Sequence, residues 1–268
     1  MRLLICGGRD FTDVEYAIPR FHRLHSQTPV TTLICGMAHG GDMIGHAWAT
    51  EMGIPIDEYP VSKEDWDRHG NAAGPIRNLQ MLKQGKPDMV LGLPGGRGTA
   101  HMLSIADEAG VEIIEYKYHY FSRARDPIDG YLSNFFITNQ IDDNGLVYQT
   151  NEHWYQAEKT LDPDKREWIR QSSGPGEAKR RGNSKSVSLR VDWEEGYKFE
   201  AMRLGLQQKF HINSPLTEML IGTGDDYLVE FAPWGNRPDR FWGVDKEKKG
   251  LNWLGRYLMR RRDEVVTG

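Results

Sequence analysis

The residue types best suited to catalysis occur together in one segment of the second half of this chain. Residues 151–161 have the spacing of an amphipathic helix, in which apolar residues such as Trp154 share one face and Glu152, Gln156 and Lys159 share the other. A carboxylate, an amide and an amine on one face could stabilise a developing positive charge, bind a polar ligand and supply a nucleophile. The same pattern is also typical of a surface helix with a solvated polar side.

A high density of aromatic residues accompanies this segment. Aromatic faces combined with a few polar groups are what a ligand containing a nucleobase requires. Each such residue taken singly is more often part of a hydrophobic core. The aromatic residues concerned are Phe135, Phe136, Trp193, Phe231, Trp234, Phe241 and Trp242.

Three glycine-containing loops lie in the first 115 residues, each between a short apolar run and a helical pattern. A glycine allows the backbone to approach a phosphate closely, and a helix N-terminus that follows offers free N–H groups and a favourable dipole. Tight turns also need glycine, so one loop is weak evidence, whereas three loops at one sheet edge favour a nucleotide site. The residues predicted to form it are Gly7, Gly8, Arg9, Gly36, Asp42, Gly95, Gly96, Arg97, Gly98 and Thr99.

Four apolar runs in the first half predict the strands that position these loops. Two of the runs precede helical patterns, which begin near Asp42, a plausible N-cap, and Thr99 and end at Gly53 and Gly110. Continuous apolar strands alternating with helices are typical of a parallel sheet whose ligand crevice lies at the carboxyl ends of the strands. We therefore predict an α/β, Rossmann-like domain. The apolar runs are Leu3–Cys6, Thr32–Cys35, Met89–Leu93 and Val111–Ile114.

The second half does not continue this alternation. Residues 123–130 are polar and contain Pro127 and Gly130, as expected of a linker, and beyond them strand-like pieces such as Leu228–Phe231 mix with helices. We therefore predict two domains, 1–122 and 123–268, the second being α+β and mostly helical. The helices are predicted at about residues 151–161, 192–210, 214–221 and 251–263.

Composition excludes several classes of protein. A chain of 268 residues suffices for two ordinary domains, and a net charge of −4, from 34 basic and 38 acidic residues, gives no global attraction to nucleic acid. Cys6 and Cys35 lie in apolar runs and are expected to be buried thiols. No Cys or His cluster has zinc spacing, and no apolar run has the length of a signal peptide or membrane helix. We expect a cytoplasmic protein that needs neither metal nor cofactor.

Four motifs of the first half form a specific combination: GGRDF at 7–11, the loop 36–42, AGPIRN at 73–78 and PGGRGT at 94–99. Together they resemble the SLOG superfamily, which implies a Rossmann-like fold that binds nucleotides or their derivatives. The related Lonely-guy phosphoribohydrolases carry a catalytic Glu three residues after the Thr of this last motif, where this chain has Met102. We therefore expect binding without hydrolysis, with Arg77 and Arg97 as phosphate clamps because guanidinium groups bind phosphate bidentately.

A second series of motifs spans about residues 130–262. It comprises Ser133-Asn134-Phe135, Glu152 to Ala157 with Lys159, Gly176 to Lys179 with Gly182, Arg190 with Asp192-Trp193, Met202, Lys209-Phe210, Asn213, Thr223-Gly224, Leu228 to Glu230, Trp242-Gly243, Gly250 to Asn252, Leu254-Gly255 and Leu258-Met259. This series resembles the NADAR family, which implies cleavage of an N-glycosidic bond between a ribose and a nitrogen. Residues 233–239 depart from the family pattern by extra residues, and Asp239 is aligned with the family Asp.

The chemistry of this bond assigns roles to residues at the matching positions. Cleavage of a C1′–N bond develops positive charge on the sugar, so we predict Glu152 as the nearby carboxylate, with Asp192 or Asp239 as a second. Lys159 either forms a Schiff base with ring-opened ribose or pairs with a carboxylate or phosphate. The basic stretch 177–185 is either a solvated loop or a pyrophosphate-binding loop that also touches a nucleic acid backbone. The predicted substrate-binding residues are Ser133, Asn134, Gln156, Lys179, Trp193, Trp242 and Asn252.

Three functions are compatible with these residues. The first is an N-glycosidase that removes ADP-ribose from a nucleobase, nucleotide or nucleic acid, joined to a domain that senses a ligand related to ADP-ribose or NAD. The second is an N-glycosidase that clears ribosylamino-pyrimidine intermediates of riboflavin synthesis. The third is a sensor whose second domain is inert. The expected partner is a nucleotide-derived small molecule, with ADP-ribosylated nucleic acid and a homo-oligomer left open.

Overall fold

The computed structural model describes residues 1–233 and 238–267. The chain divides into two compact units, Met1–Tyr118 and His119–Gly268. The domain boundary predicted between residues 122 and 123 lies slightly C-terminal to this structural division. It remains a prediction. Within the described part of the chain, no helix is long and apolar enough to cross a membrane.

The first unit is a five-stranded parallel sheet in the order β3-β2-β1-β4-β5, with helices packed around it. Its inner strands are buried because they are continuous apolar runs, and Leu4 of β1 lies in register between Ile34 of β2 and Val90 of β4. This confirms the predicted Rossmann-like class. The elements are β1 (Arg2–Cys6), α1 (Val14–Gln27), β2 (Thr32–Cys35), α2 (Gly41–Glu51), β3 (Ile56–Glu58), α3 (Lys63–His69), α4 (Ala73–Gln80), β4 (Met89–Gly92), α5 (Arg97–Glu108) and β5 (Glu112–Glu115).

In this unit the predicted signals for the C-terminal ends of the helices are confirmed, whereas the predicted signal for an N-terminal end is wrong. Gly53 and Gly110 have positive φ angles of 66° and 70° and lie just beyond α2 and α5, as predicted. The N-cap prediction at Asp42 is wrong, because α2 begins at Gly41 and Gly40 occupies the cap position. The backbone N–H groups of Gly7 and Ala38 instead donate to the buried Asp42 carboxylate, which thereby joins two glycine loops.

The second unit is mostly helical, with two small two-stranded sheets, β6-β9 and the antiparallel β7-β8. This confirms the predicted second fold class. The elements are β6 (Tyr118–Phe121), β7 (Ile137–Ile141), β8 (Val147–Thr150), α6 (Asn151–Ala157), α7 (Pro163–Arg170), α8 (Pro175–Gly182), α9 (Lys198–Lys209), α10 (Pro215–Gly222), β9 (Tyr227–Glu230) and α11 (Trp253–Thr267).

Two of the helix predictions are wrong in their bounds. The helix predicted over 151–161 ends at Ala157, so Lys159 lies in the turn that follows it. Much of the basic stretch predicted as a loop is helical, because Pro175 at the first turn of α8 is compatible with a helix start and the helix continues to Gly182. The helix predicted over 192–210 is interrupted: a π-helical turn spans Trp193–Tyr197, Gly196 within it has a φ angle of 135°, and α9 begins at Lys198.

Helix α6 is at the centre of the second unit, and all seven of its residues are buried. Two of its polar side chains have partners within the protein: His153 Nδ1 lies 2.8 Å from the Thr150 hydroxyl, and Asn151 Nδ2 donates to Asn134 Oδ1 at 2.8 Å. A Cβ on Gly205 of α9 would lie 2.1 Å from Asn151 Oδ1, so the backbone of α9 packs directly on α6. The alternative of a surface helix with a solvated face is therefore wrong.

Candidate active site

The predicted catalytic face of α6 is enclosed by the protein. Glu152 is 5% exposed, its N–H donates to the carbonyl of Asn134, and its Oε1 accepts from Gln156 Nε2 at 2.8 Å. Lys159 is 8% exposed, and its Nζ donates to Asn183 Oδ1 at 2.6 Å. A carboxylate, an amide and an amine therefore lie together in surroundings where water screens charge weakly.

Charges from three elements act on Glu152. Burial raises the pKa of its carboxyl group, the positive charges of Lys179 and Lys159 oppose that rise, and the carboxylate of Asp239 adds to it. Asp239 lies 3.9 Å from the Lys179 amine and accepts from the N–H groups of Phe241 and Trp242. Burial lowers the pKa of the Lys159 amine. Four predicted residues (Glu152, Lys159, Lys179, Asp239) thus form one electrostatic group.

Asp192 has a different partner. Its two carboxylate oxygens accept from Arg190 at 2.6 and 3.0 Å, and its side chain is partly exposed. The ion pair with Arg190 lowers the pKa of Asp192. The charge of Asp239 contributes to the pKa shift of Glu152, whereas that of Asp192 does not. The structure therefore favours Asp239 over Asp192 as the second carboxylate, and both roles remain predictions.

An aromatic wall borders the charged group. The ring of Tyr155 lies 5.1 Å from that of Trp193 and 5.4 Å from that of Trp242, and the Lys159 amine is 6.0 Å from its centre. Trp193 and Trp242 were predicted, whereas Tyr155 was identified only as part of the motif. Phe241 continues the wall at 5.1 Å from Trp242. Trp234, also among the predicted aromatic residues, lies outside the described residues.

The side chains of three predicted substrate-binding residues form hydrogen bonds with other parts of the protein. The Ser133 hydroxyl accepts from the Phe135 N–H, and the Asn134 side chain accepts from Asn151. Asn252 accepts from the N–H of Glu230 and donates to the carbonyl of Leu228, which links α11 to β9. These contacts give the three residues a positioning role, and their contact with substrate remains a prediction.

Glu230 is a further carboxylate that the sequence reasoning did not single out. It lies at the end of β9, where burial together with the negative charges of Asp239 and Glu152 raises its pKa to about 8. Its backbone is fixed by Asn252, and a Cβ on Gly243 would lie 3.1 Å from its Oε2. The motif Leu228 to Glu230 contained this residue, but no local signal distinguishes it from an ordinary strand residue.

The raised pKa of Glu230 predicts a pH dependence of stability. Between an unfolded pKa of about 4.5 and a folded pKa of about 8, the folded protein binds more protons than the unfolded chain, so stability falls as pH rises. We expect the fall in the free energy of unfolding from pH 5 to pH 7 to be smaller in Glu230→Gln than in the wild type. Urea titrations at the two pH values measure it. The lowered pKa of Lys209, about 7, acts in the opposite direction and mainly above this range. Equal falls in both proteins would contradict the assignment.

Glu158, next to Lys159, organises the wall of the site. Its buried carboxylate accepts from Tyr197 Oη at 2.7 Å, forms an ion pair with Arg166 and faces Arg190 Nη1 at 3.7 Å. The backbone N–H of Arg190 in turn donates to the carbonyl of Lys159 at 2.8 Å. Glu158 therefore joins the turn that carries Lys159 to the segment that carries Trp193.

We expect Glu158→Ala to lower the free energy of unfolding by about 3 kcal/mol, because it leaves the partly buried guanidinium of Arg166 without a carboxylate partner. Urea denaturation measures this loss. The matched control is Glu167→Ala, because the Glu167 side chain is 40% exposed and that of Glu158 is 6% exposed; this substitution should cost less than about 1 kcal/mol. Equal losses in the two variants would show that Glu158 does not organise the site.

In the first unit, the glycine loops pack on one another at the carboxyl ends of the strands. The N–H of Gly8 donates to the carbonyl of Pro94 at 3.0 Å, and that of Gly41 donates to the carbonyl of Gly8 at 3.1 Å. A Cβ on Gly7 would lie 2.9 Å from the Cα of Gly41, and one on Gly95 would lie 2.8 Å from the N of Gly8. The structure thus brings the three loops together as predicted, and close packing by itself requires glycine at these positions.

The predicted cationic side chains of this unit differ in how exposed they are to solvent. Arg77 is mostly buried and pairs with Asp42 at 3.3 Å, and a Cβ on Gly36 would overlap its guanidinium. Arg97 is exposed at the start of α5, between Gly96 and Gly98 and two residues before the buried Thr99. Arg9 is exposed, and its guanidinium lies 5.6 Å from the ring of Trp66.

Met102 is fully buried in the core of the first unit. It packs in an apolar cluster that includes Leu4, Val90 and Leu103. An ionised carboxylate at this place would be costly because nothing in the cluster could pair with it. The burial of Met102 is consistent with the expectation that this unit does not hydrolyse a ligand.

Two family models match this chain, each in a different part of it. The model of the NADAR domain matches residues 120–266, and that of the YspA, cpYpsA-related SLOG family matches residues 1–69. The solved structure of the Escherichia coli protein YbiA is 35% identical, with a TM-score of 0.50, over 57% of this chain and 88% of its own length.

Curated relatives carry two kinds of name. N-glycosidase YbiA of Escherichia coli is 38% identical over 46% of this chain and 74% of its own length, and N-glycosidase Npun_R5314 of Nostoc punctiforme is 36% identical over 54% and 91%. The chloroplastic riboflavin biosynthesis protein PYRR of maize (Zea mays) is 35% identical over 52% of this chain and 24% of its own length. The chain belongs to the NADAR family, and its match to the YspA, cpYpsA-related SLOG family is confined to residues 1–69.

Proposed function

We propose that this protein is an N-glycosidase that hydrolyses the bond between C1′ of a ribose and a nitrogen, and that the second unit carries the reaction. The observation that carries the proposal is the buried Glu152 carboxyl group among Lys159, Lys179 and Asp239, beside the wall of Tyr155, Trp193 and Trp242. The names of the relatives YbiA and Npun_R5314 support the same class of reaction.

Glu152 acts in the ionised form in this mechanism. Positive charge develops on the ribose as the C1′–N bond breaks, and a nearby carboxylate with little water around it stabilises that charge strongly. Burial raises the pKa of this carboxyl group, and the positive charges of Lys179 and Lys159 oppose that rise and favour the ionised form. Gln156, which donates to Oε1, orients the carboxylate.

The departing nitrogen needs a proton, and Glu230 is suited to supply it. Its pKa of about 8 leaves it protonated at neutral pH, and it interacts electrostatically with Glu152 and Asp239. Two carboxyl groups with different protonation states in one site are the usual requirement for acid-assisted cleavage of a glycosidic bond.

We propose ADP-ribose linked to a guanine base as the substrate. Two cations in the last turn of α8 support this choice, because a pyrophosphate binds to positively charged side chains. Lys179 lies 3.9 Å from Asp239 and opposes the rise in the pKa of Glu152, and the neighbouring Arg180 is largely exposed. Trp193 and Trp242 offer ring faces for the base. The second candidate substrate is a ribosylamino-pyrimidine intermediate of riboflavin synthesis, favoured by the relatives named for riboflavin biosynthesis.

Substrate competition distinguishes these candidates. The full chain is incubated with ADP-ribosylated guanosine, ADP-ribosylated DNA, ADP-ribosylated protein and a ribosylamino-pyrimidine phosphate, and the released base is measured by chromatography. We expect release from the guanine-linked substrates. Release from the pyrimidine alone would establish the second candidate. Calorimetric binding of ADP-ribose without turnover of any substrate would identify a sensor instead.

For the first unit, we propose that the glycine loops bind a nucleotide-derived ligand related to ADP-ribose or NAD without hydrolysing it. The exposed glycines Gly96 and Gly98, which flank Arg97 at the first turn of α5, support this proposal. Calorimetric titration of the full chain with ADP-ribose and with NAD, repeated with Arg97→Ala, tests it. Unchanged affinity in the variant would remove Arg97 from the site.

A further inference from the structure

Lys159 is held at two points by residues distant from it in sequence. Its amine donates to Asn183 Oδ1 at 2.6 Å, and its carbonyl accepts from the N–H of Arg190 at 2.8 Å. The side chain is 8% exposed, and the ring of Tyr155 lies 6.0 Å from the amine. The position of the amine is therefore determined by the protein even before a ligand binds.

Asn183 owes its own position to the end of α8. It is the C-cap residue, and its N–H donates to the carbonyl of Lys179 at 3.2 Å, so the helix end sets the direction of its side chain. A Cβ on the preceding Gly182 would lie 2.3 Å from Gln156 Oε1, which shows that α8 packs directly on the catalytic face of α6. Asn183 is itself exposed, and it reaches the amine from the solvent side.

The acceptor that Asn183 provides is uncharged. A carboxylate at this distance would favour the ammonium form of Lys159, whereas an amide oxygen fixes the amine in place and adds no charge. The other charged groups that face the amine are Glu152 of α6, Glu194 of the π-helical turn and Lys179 of α8. The two carboxylates favour the ammonium form, and Lys179 opposes it.

We propose that Asn183 is a positioning residue that presents the Lys159 amine to C1′ of the substrate through a neutral hydrogen bond. This proposal rests on the proposed N-glycosidase function and on a role of Lys159 as nucleophile. In that step the amine forms a bond to C1′ while the bond from C1′ to the base breaks. The departing nitrogen takes a proton from Glu230, and the amine nitrogen releases one proton to water, from which Glu230 is reprotonated. Water later cleaves the lysine adduct. A neutral amine with a fixed direction serves such a step better than a solvated ammonium group.

The test is the variant Asn183→Asp, which places a charge where the neutral oxygen lies. We expect the pH midpoint of turnover to move up by about one unit, with little change in KM. The same shift should appear in the labelling of Lys159 by acetic anhydride as a function of pH, measured by peptide mass spectrometry without substrate. In Asn183→Ala, which lacks the hydrogen bond but adds no charge, kcat should fall about tenfold and the labelling midpoint should not rise. Asn144→Asp, on the exposed β7–β8 turn, is the matched control for added charge.

The two measurements separate the possible failures. An unchanged labelling midpoint in Asn183→Asp would overturn the proposal, because the hydrogen bond would then not reach the amine in solution. A shifted labelling midpoint with an unchanged rate profile would also overturn it, since the contact would then have no part in the reaction. Undiminished turnover in Lys159→Ala would instead refute the role assigned to Lys159, whatever the labelling shows. Circular dichroism of each variant confirms the fold, which an exposed position should leave intact.

Discussion

Glu152→Gln should lose turnover by about 100-fold or more while the protein stays folded. The substitution keeps the size of the side chain and removes the charge that stabilises the cationic ribose. In the wild type, turnover should rise with pH as the Glu152 carboxyl group, whose pKa burial raises, and the Lys159 amine lose their protons. Glu152→Gln should lack the part of this rise that belongs to the carboxyl group. Release of base under saturating substrate, followed from pH 4 to 9, measures both effects.

The matched control for Glu152→Gln is Glu167→Gln, at a partly exposed ion pair on α7. It should retain wild-type turnover, because Glu167 makes its contacts with Arg170 and Gln171 rather than with the site. Near-complete turnover by Glu152→Gln would remove the carboxylate assignment, and Glu230 or Asp239 would then have to supply the negative charge. Melting curves of all variants separate catalytic loss from unfolding.

The second large effect is expected for Lys159→Met. Turnover should fall by about 100-fold or more if the amine is the nucleophile, because methionine fills a similar volume but cannot form a bond to C1′. Borohydride added during turnover should trap a reduced sugar adduct on wild-type Lys159, since ring opening of the attached sugar creates an imine. Peptide mass spectrometry locates the adduct, and Lys249→Met, at an exposed lysine, is the control.

These two readouts separate the roles left open for Lys159. Lost turnover together with an adduct on Lys159 establishes covalent catalysis. Lost turnover without any adduct would assign the amine to pairing with Glu152 or with a phosphate, consistent with its electrostatic interaction with Glu152. Full turnover in Lys159→Met would remove it from the reaction altogether.

The fold of the first unit was largely predictable because its signals are local. Leu3–Cys6 and Thr32–Cys35 are short, largely apolar runs typical of strands buried on both faces, and glycines mark the turns and helix ends that follow. The error at Asp42 has a tertiary cause. The residue type suited an N-cap, but the N–H of Gly7 and the guanidinium of Arg77 offered the carboxylate better partners.

In the second unit the pattern predicted a helix with two faces but not how that helix is packed. A polar face at 3.6-residue spacing is the same in sequence whether it meets water or protein. The enclosure of Glu152 depends on elements that are distant in sequence, such as α8, whose Gly182 lies against Gln156, and α9, whose Gly205 lies against Asn151. Asn183 and Glu230 were missed for the same reason, because neither has a neighbour in sequence that indicates its partner in space.

The amino-acid sequence by itself determined the two modules, the strands and turns of the first, the motifs of the second and most of the residues that meet at its site. Only the tertiary structure decided which of those residues act on one another and in which charge state. Asp239 pairs with Lys179, and its charge raises the pKa of Glu152, whereas Asp192 forms an ion pair with Arg190. The physical reason is that motifs record residue type and spacing along the chain, while desolvation and Coulomb energy depend on distances in space.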